Sequence, residues 1–256
     1  MSDAGTMSTA PTATPIQRAS ELLGQTIVVI GGSAGIGLET ARRARAEGAD
    51  VILTGRNPDR LQHAARELGA LSSAAFDAAD PDRLARFFQD LPTPIDHVIV
   101  TAGRPYYARL ADIDFAKAHR EVDEHLWLTL HVAREAAGKM RPGGTLLFMS
   151  GTGARRPAVG GPIVSALTAG LPALTAALAL ELAPVRVNLI AAGFVDTPLS
   201  ASLLGDQLDE RRNQLRATLP IGRVVGPADV AALAVHLMTT ALTGATYDID
   251  GGQQLV

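Results

Sequence analysis

The sequence predicts an α/β protein: a doubly wound, mostly parallel sheet of seven strands with helices on both faces. Three observations predict it. Short apolar, β-branched runs recur along the chain, segments with helical spacing alternate with them, and stretches containing Gly, Ser and Pro follow the strands. Runs without polar alternation suit strands covered on both sides, and strand–helix alternation implies parallel crossovers.

The strand runs are Thr26–Gly31, Val51–Thr54, Ile95–Thr101, Thr145–Met149, Val185–Ile190 and Thr246–Ile249, with a weaker seventh at Ser72–Phe76. Helical spacing covers Ile36–Glu47, Asp59–Leu68, Asp80–Leu91, Phe115–Met140, Pro162–Leu182 and Pro227–Met238. Leu199–Leu219 is amphipathic. Pro172 sits inside the fifth helix, where it cannot donate to the Thr168 carbonyl, and Gly170 weakens the same turn. A kink or bulge is expected there. No repeat of fixed period and no internal linker divides the chain. Residues 23–256 are expected to form one domain. Residues 1–22, rich in Ser, Thr, Ala and Pro and lacking an apolar stretch, read as a disordered tail.

Composition narrows the function. The 256 residues are 47% hydrophobic and 19% charged, enough apolar mass for a large core. A net charge of −3 leaves no electrostatic footprint for nucleic acid or an anionic membrane. The absence of cysteine excludes disulfides, thiolate catalysis and thiolate metal sites. No carboxylate cluster joins His125 and His131, six residues apart, to make a metal site, and none is expected. No run approaches the roughly 18–20 uninterrupted apolar residues of a membrane span. The expectation is a cytoplasmic protein that acts on, or senses, a small molecule.

The chemistry starts at Gly31-Gly32-Ser33-Ala34-Gly35-Ile36-Gly37, between the first strand and the first helix. Glycines let backbone approach a pyrophosphate, and the helix start offers unpaired N–H groups and partial positive charge. In a strand–turn–helix unit this reads as the dinucleotide loop of a Rossmann fold. The second strand ends Thr54-Gly55-Arg56-Asn57. An NAD site wants a carboxylate there for the ribose 2′-hydroxyl, whereas the Arg56 guanidinium suits a 2′-phosphate. NADP(H) is the expected cofactor.

The Gly-x-x-x-Gly-x-Gly spacing resembles that of the short-chain dehydrogenase/reductases, with Ile30 where that family usually has Thr. Further landmarks agree in order: Asp77, Thr101-Ala102-Gly103, Val187-Asn188 through Gly193-Phe194-Val195-Asp196-Thr197, and Asp250-Gly251-Gly252. Thr101 stands for the family's usual Asn, and Ala192 for its Pro. The resemblance implies that Gly31, Ser33, Gly35, Ile36 and Gly37 cradle the pyrophosphate and that Asp77 pairs with the adenine amino group. It places Ala102 and Gly103 under the cofactor, and Thr197 on the nicotinamide side. It further implies dimers or tetramers, through the two long central helices.

The family's proton-transfer groups are missing. Its mechanism uses a Tyr, a Lys four residues later that lowers the Tyr pKa, a Ser that holds the substrate oxygen, and an Asn for a water relay. Lysine occurs only at Lys117 and Lys139, and tyrosine only at Tyr106, Tyr107 and Tyr247, so Tyr-x-x-x-Lys is absent. Alignment on Leu174-Thr175 and Glu181-Leu182 puts Val164 at the Tyr position and Thr168 at the Lys position. Gly151 falls at the Ser position, though a slip of one residue would return Ser150 to that role. His125 falls at the Asn position. Neither an alkyl group nor an alcohol replaces a Tyr–Lys couple.

Candidate substitutes are His125, Ser150 and Tyr107, each with a structural alternative as a satisfied core or loop residue. Arg155 and Arg156 could hold a substrate anion or form a surface pair. The expectation is therefore an NADP(H)-dependent oxidoreductase with a non-standard proton-transfer site, acting on a small carbonyl or alcohol. The alternative is an inactive NADP(H) sensor or partner subunit.

Overall fold

A computed structural model describes residues 21–91 and 94–256. The tail expected at residues 1–22 lies outside the described residues up to position 20. Leu22, however, is fully buried in the core shared with Val29, Val51 and Leu53, so the folded chain reaches back at least to the Glu21–Gly24 turn.

Seven strands among the described residues form one sheet: β1 (Thr26–Ile30), β2 (Asp50–Gly55), β3 (Ser72–Ala75), β4 (Ile95–Val100), β5 (Met140–Gly151), β6 (Arg186–Ala192) and β7 (Thr246–Ile249). Their order is β3-β2-β1-β4-β5-β6-β7, and every pairing is parallel. Strand order reverses between β1 and β4. A crevice opens outside the carboxyl ends of such a pair, where open α/β sheets bind ligands.

The central strands feed two cores. Val28, Ile30, Val98, Val100, Leu146 and Phe148 face one side, and Val29, Val51, Leu53, Ile99, Leu147 and Ile190 face the other. That is why the runs show no polar alternation. The first side is covered by α3 (Pro81–Asp90), α5 (Leu128–Ala137) and α6 (Pro162–Glu181), through Leu84, Phe88, Val132, Leu171 and Leu178. The second is covered by α1 (Gly35–Ala46), α2 (Pro58–Leu68) and α9 (Pro227–Thr239), the last following α7 (Pro198–Leu204) and α8 (Leu208–Thr218), through Ala41, Ala44, Leu61, Ala64, Val230 and Ala234. Local chemistry starts α2 and α3: Asn57 accepts from the Arg60 N–H, and Asp80 from those of Asp82 and Arg83.

Three expectations are corrected. The long Phe115–Met140 segment is not one regular helix. It is α4 (Phe115–Val122), a wide π turn over Asp123–Trp127, then α5, and Met140 opens β5 by pairing with Ile95. The bulge expected at Pro172 is absent, because α6 runs unbroken from Pro162 to Glu181. Finally, α6 is long and apolar enough to cross a bilayer by length and composition, with mean hydropathy 1.9. Ser and Thr inside it hid this from a search for uninterrupted apolar residues. In the fold it covers the sheet, burying Val164, Thr168, Leu171, Thr175 and Leu178.

Candidate functional site

The loop after β1 turns where its glycines are needed. Gly31 has φ +97°, and the N–H groups of Gly31 and Gly32 both donate to the Thr54 carbonyl (3.2 and 2.9 Å). A Cβ at Gly37 would lie 2.3 Å from the Gly31 oxygen and 2.5 Å from Thr101 Oγ1. Nothing larger than glycine fits there. The loop is therefore closed onto β4, where Thr101 Oγ1 donates to the Ile30 and Gly31 carbonyls. Ala34, at the start of α1, makes no side-chain cap, so the first-turn N–H groups of Gly35, Ile36 and Gly37 stay open to an anion.

The other expected cofactor residues gather round the same crevice. Thr197, capping α7 (Pro198–Leu204), lies across from the loop: a Cβ on Gly35 would be 3.5 Å from Thr197 Cβ. The Ala102 N–H donates to the Ile30 carbonyl, and Gly103 (φ +126°) abuts His125. Ser33 is buried against Gly55, where an added Cβ would stand 2.9 Å from Ser33 Oγ. A side chain at 55 would crowd Ser33, whose hydroxyl would have to turn aside. Arg56 is 62% exposed, with Nη1 3.5 Å from Glu124 Oε1.

Asp77 accepts from the Ala79 N–H (3.1 Å) and from Arg120 Nη2 (2.5 Å). Burial works to raise its pKa, but these bonds and the Arg120 charge win and hold the carboxyl below the usual range.

The structure brings the residues aligned with the proton-transfer positions close together. A Cβ on Gly151 would lie 3.6 Å from Thr168 Cγ2, and one on Gly153 would lie 3.1 Å from Val164 Cγ1. Gly151 thus faces the α6 turn that carries Val164 and Thr168. Ser150 Oγ is buried without a hydrogen-bond partner, beside a cavity of about 210 Å³ under α6 that Thr168 and Pro172 also line. The Thr168 hydroxyl is spent on the Val164 carbonyl (2.8 Å).

His125 rides on the π turn, a form often found at functional sites. Its Nδ1 donates to the Glu121 carbonyl (2.9 Å), and its Nε2 lies against Gly103. Tyr107 lies 59% exposed on the loop after β4. Tyr106 accepts from the Asp114 N–H at the start of α4, a structural role. Arg155 pairs with Asp248 and Gln254, and Arg156 donates to the Gln253 carbonyl, so both tie the segment after β5 to the C-terminal end.

Sequence reasoning missed Glu121, Glu124 and Arg120. Glu121 is 3% exposed and its Oε2 has no partner. Burial, and then the nearby Glu124 charge, push its pKa up to about 7 against an opposing Tyr106 N–H. The folded value exceeds the unfolded one, so Glu121 favours folding below about pH 4.5, and that contribution is lost as pH rises through about 7. Glu121→Gln is therefore expected to raise the melting temperature at pH 8. It should also flatten the loss of stability between pH 5 and 8, by on the order of 1–3 kcal/mol. Identical pH dependences in thermal melts of the two proteins would contradict this assignment. The usable sequence signal was a Glu three residues after the buried Ala118, on a helix face that should be apolar.

Among the described residues, no group of three or more His, Asp or Glu side chains could hold a metal ion.

Residues 31–254 match a family model described as enoyl-(acyl carrier protein) reductase. The chain is 32% identical over 249 residues to the short-chain dehydrogenase/reductase ATR9 of Stachybotrys chlorohalonatus, covering 90% of this chain and 96% of that one. It is 29% identical to the NADP-dependent (R)-specific alcohol dehydrogenase of Lentilactobacillus kefiri, covering 90% and 97%. A solved structure of a small-chain dehydrogenase in complex with NADPH superposes with a TM-score of 0.79 at 28% identity, over 91% of this chain and all of that one.

Proposed function

The chain belongs to the short-chain dehydrogenase/reductases, and from that premise we propose that it binds NADP(H) as an oxidoreductase of small carbonyls or alcohols with a non-standard proton-transfer site. The observation that carries the cofactor is the Gly55-Arg56 pair at the end of β2. Gly55 brings no carboxylate to the place where an NAD site wants one, while Arg56 supplies a guanidinium at the next position. The names of the relatives above point the same way. Gly31, Ser33, Gly35, Ile36 and Gly37 would take the pyrophosphate, Asp77 the adenine, Ala102 and Gly103 the adenosine-side ribose, and Thr197 the nicotinamide side. When bound, the nicotinamide supplies the hydride chemistry. The chain supplies orientation, exclusion of water and the His125 imidazole.

The second reading, a cofactor-binding sensor or partner subunit, is favoured by Gly151, Val164 and Thr168 standing together where a proton-transfer couple would act. Two experiments separate these. Titration calorimetry should find NADP(H) bound at least about tenfold more tightly than NAD(H), about 1.4 kcal/mol, with the preference lost in Arg56→Ala. Equal affinities would overturn the cofactor assignment. NADPH oxidation across a broad panel of carbonyls and quinones should show turnover, whereas tight binding without any turnover selects the sensor.

We propose further that the protein is a homo-oligomer. The face of α6 turned from the sheet is apolar and carries Leu180, 84% exposed, and Trp127 before α5 is 49% exposed. A strictly monomeric mass by light scattering at micromolar concentration would sink this idea.

A further inference from the structure

Four charged side chains meet at the carboxyl ends of β2, β3 and β4. Arg120, near the end of α4, donates through Nη2 to Asp77 Oδ2 (2.5 Å) and through Nε to Glu124 Oε1 (2.7 Å). Arg56 Nη1 stands 3.5 Å from that same Glu124 oxygen, while the other Glu124 oxygen accepts the Arg104 N–H at 2.9 Å. The Glu124 side chain is 9% exposed, so it is fixed, whereas Arg56 is a loosely held arm on the surface. Two guanidiniums and two carboxylates sum to zero charge.

We propose that Arg120 is a cofactor-specificity residue: by masking the carboxylates of Asp77 and Glu124, it keeps the adenosine end of the crevice receptive to a 2′-phosphate and unreceptive to a bare 2′-hydroxyl. The argument is electrostatic. A 2′-phosphate drawn to Arg56 comes within a few ångströms of Glu124, a fixed negative charge in a partly buried site, where repulsion is poorly screened. Arg120 is the cation bonded to both carboxylates and cancels that field. Without it the cluster carries one net negative charge and presents free carboxylate oxygens. Those are the acceptors a ribose hydroxyl wants and a phosphate avoids. Specificity then depends on concealing acids already present as well as on Arg56. The inference rests on the reading of the crevice as a dinucleotide site.

The test is calorimetry of NADP(H) and NAD(H) on full-length wild type, Arg120→Gln, Arg120→Lys and the double variant Arg120→Gln/Glu124→Gln. Arg120→Gln should lower the NADP(H):NAD(H) affinity ratio at least about tenfold with NAD(H) affinity changed less than about threefold. Arg120→Lys and the double variant should return the ratio to within about threefold of wild type, since each restores neutrality. An unchanged ratio in Arg120→Gln, an equal loss of both cofactors, or a double variant that stays low would each overturn the proposal. If Arg120→Gln does not fold in a thermal melt, Glu124→Gln alone decides: its ratio should rise, and an unchanged ratio is against us. A wild type that binds neither cofactor would instead defeat the underlying dinucleotide reading.

Discussion

Gly37→Ala is expected to remove measurable dinucleotide binding from a protein that still folds. The added Cβ would stand 2.3 Å from the Gly31 oxygen and 3.0 Å from its carbonyl carbon, both backbone atoms that no side-chain rotation can move aside. Helix α1 must therefore back away from the loop that its N-terminus completes. Overpacking of this kind costs about 1–3 kcal/mol, which a domain of this size survives. Binding is less forgiving: a displacement of about 1 Å at a positioned group can cost about a hundredfold in rate, and a pyrophosphate held by backbone N–H groups depends on geometry just as closely. The expected result is a loss of NADP(H) affinity of at least about a hundredfold by calorimetry, with the far-UV circular dichroism unchanged. Gly170→Ala is the control. It sits in α6 with nothing within 4 Å of its added Cβ, so it should leave affinity alone and stabilise the helix by about 0.5–1 kcal/mol. Wild-type affinity in Gly37→Ala would mean that the loop does not hold the cofactor.

The glycine loop, the strands and their order of appearance were readable because each follows from a local rule. Strands β1, β2 and β4 are buried on both faces and so read as unbroken apolar runs, while β3, an exposed edge strand of small residues, gave only a weak signal. Arg56 was readable because its distance from the glycines is fixed by one βαβ unit. What escaped depends on partners far along the chain. The π turn at Asp123–Trp127 contains neither Gly nor Pro. The Asp77–Arg120–Glu124–Arg56 chain joins four elements, and a spacing rule reaches only its i,i+4 link between Arg120 and Glu124. Pro172 misled for the opposite reason. Its local penalty of about 3 kcal/mol is real, but α6 is held against the sheet by Leu171, Thr175 and Leu178, and tertiary burial outweighs one lost backbone bond.

That last correction bears on restoring the missing chemistry. A kink at Pro172 and Gly170 would displace position 168, and the family's groups grafted there would fail to meet. In the structure α6 is continuous, the Thr168 hydroxyl donates to the Val164 carbonyl one turn back, and both residues lie on the buried face. Gly151 faces them with 3.6 Å between its added Cβ and Thr168 Cγ2, an ordinary contact that admits a serine. The triple variant Gly151→Ser, Val164→Tyr, Thr168→Lys is therefore expected to gain NADPH-dependent reduction of a reactive diketone. A positioned acid contributes about a hundredfold to ten-thousandfold, so initial rates should exceed wild type by at least about a hundredfold. The double variant lacking Thr168→Lys should lose most of that gain, because no ammonium then lowers the phenol pKa. The outcome to watch for is a triple variant that binds NADPH normally but reduces nothing faster than wild type does. It would mean that the backbone near Pro172 differs in solution from the continuous helix. A wild type faster than its triple variant would mean that the native site has its own proton path. His125→Ala would then decide whether the imidazole on the π turn carries it, since His125 Nε2 lies against Gly103 at the floor of the same crevice.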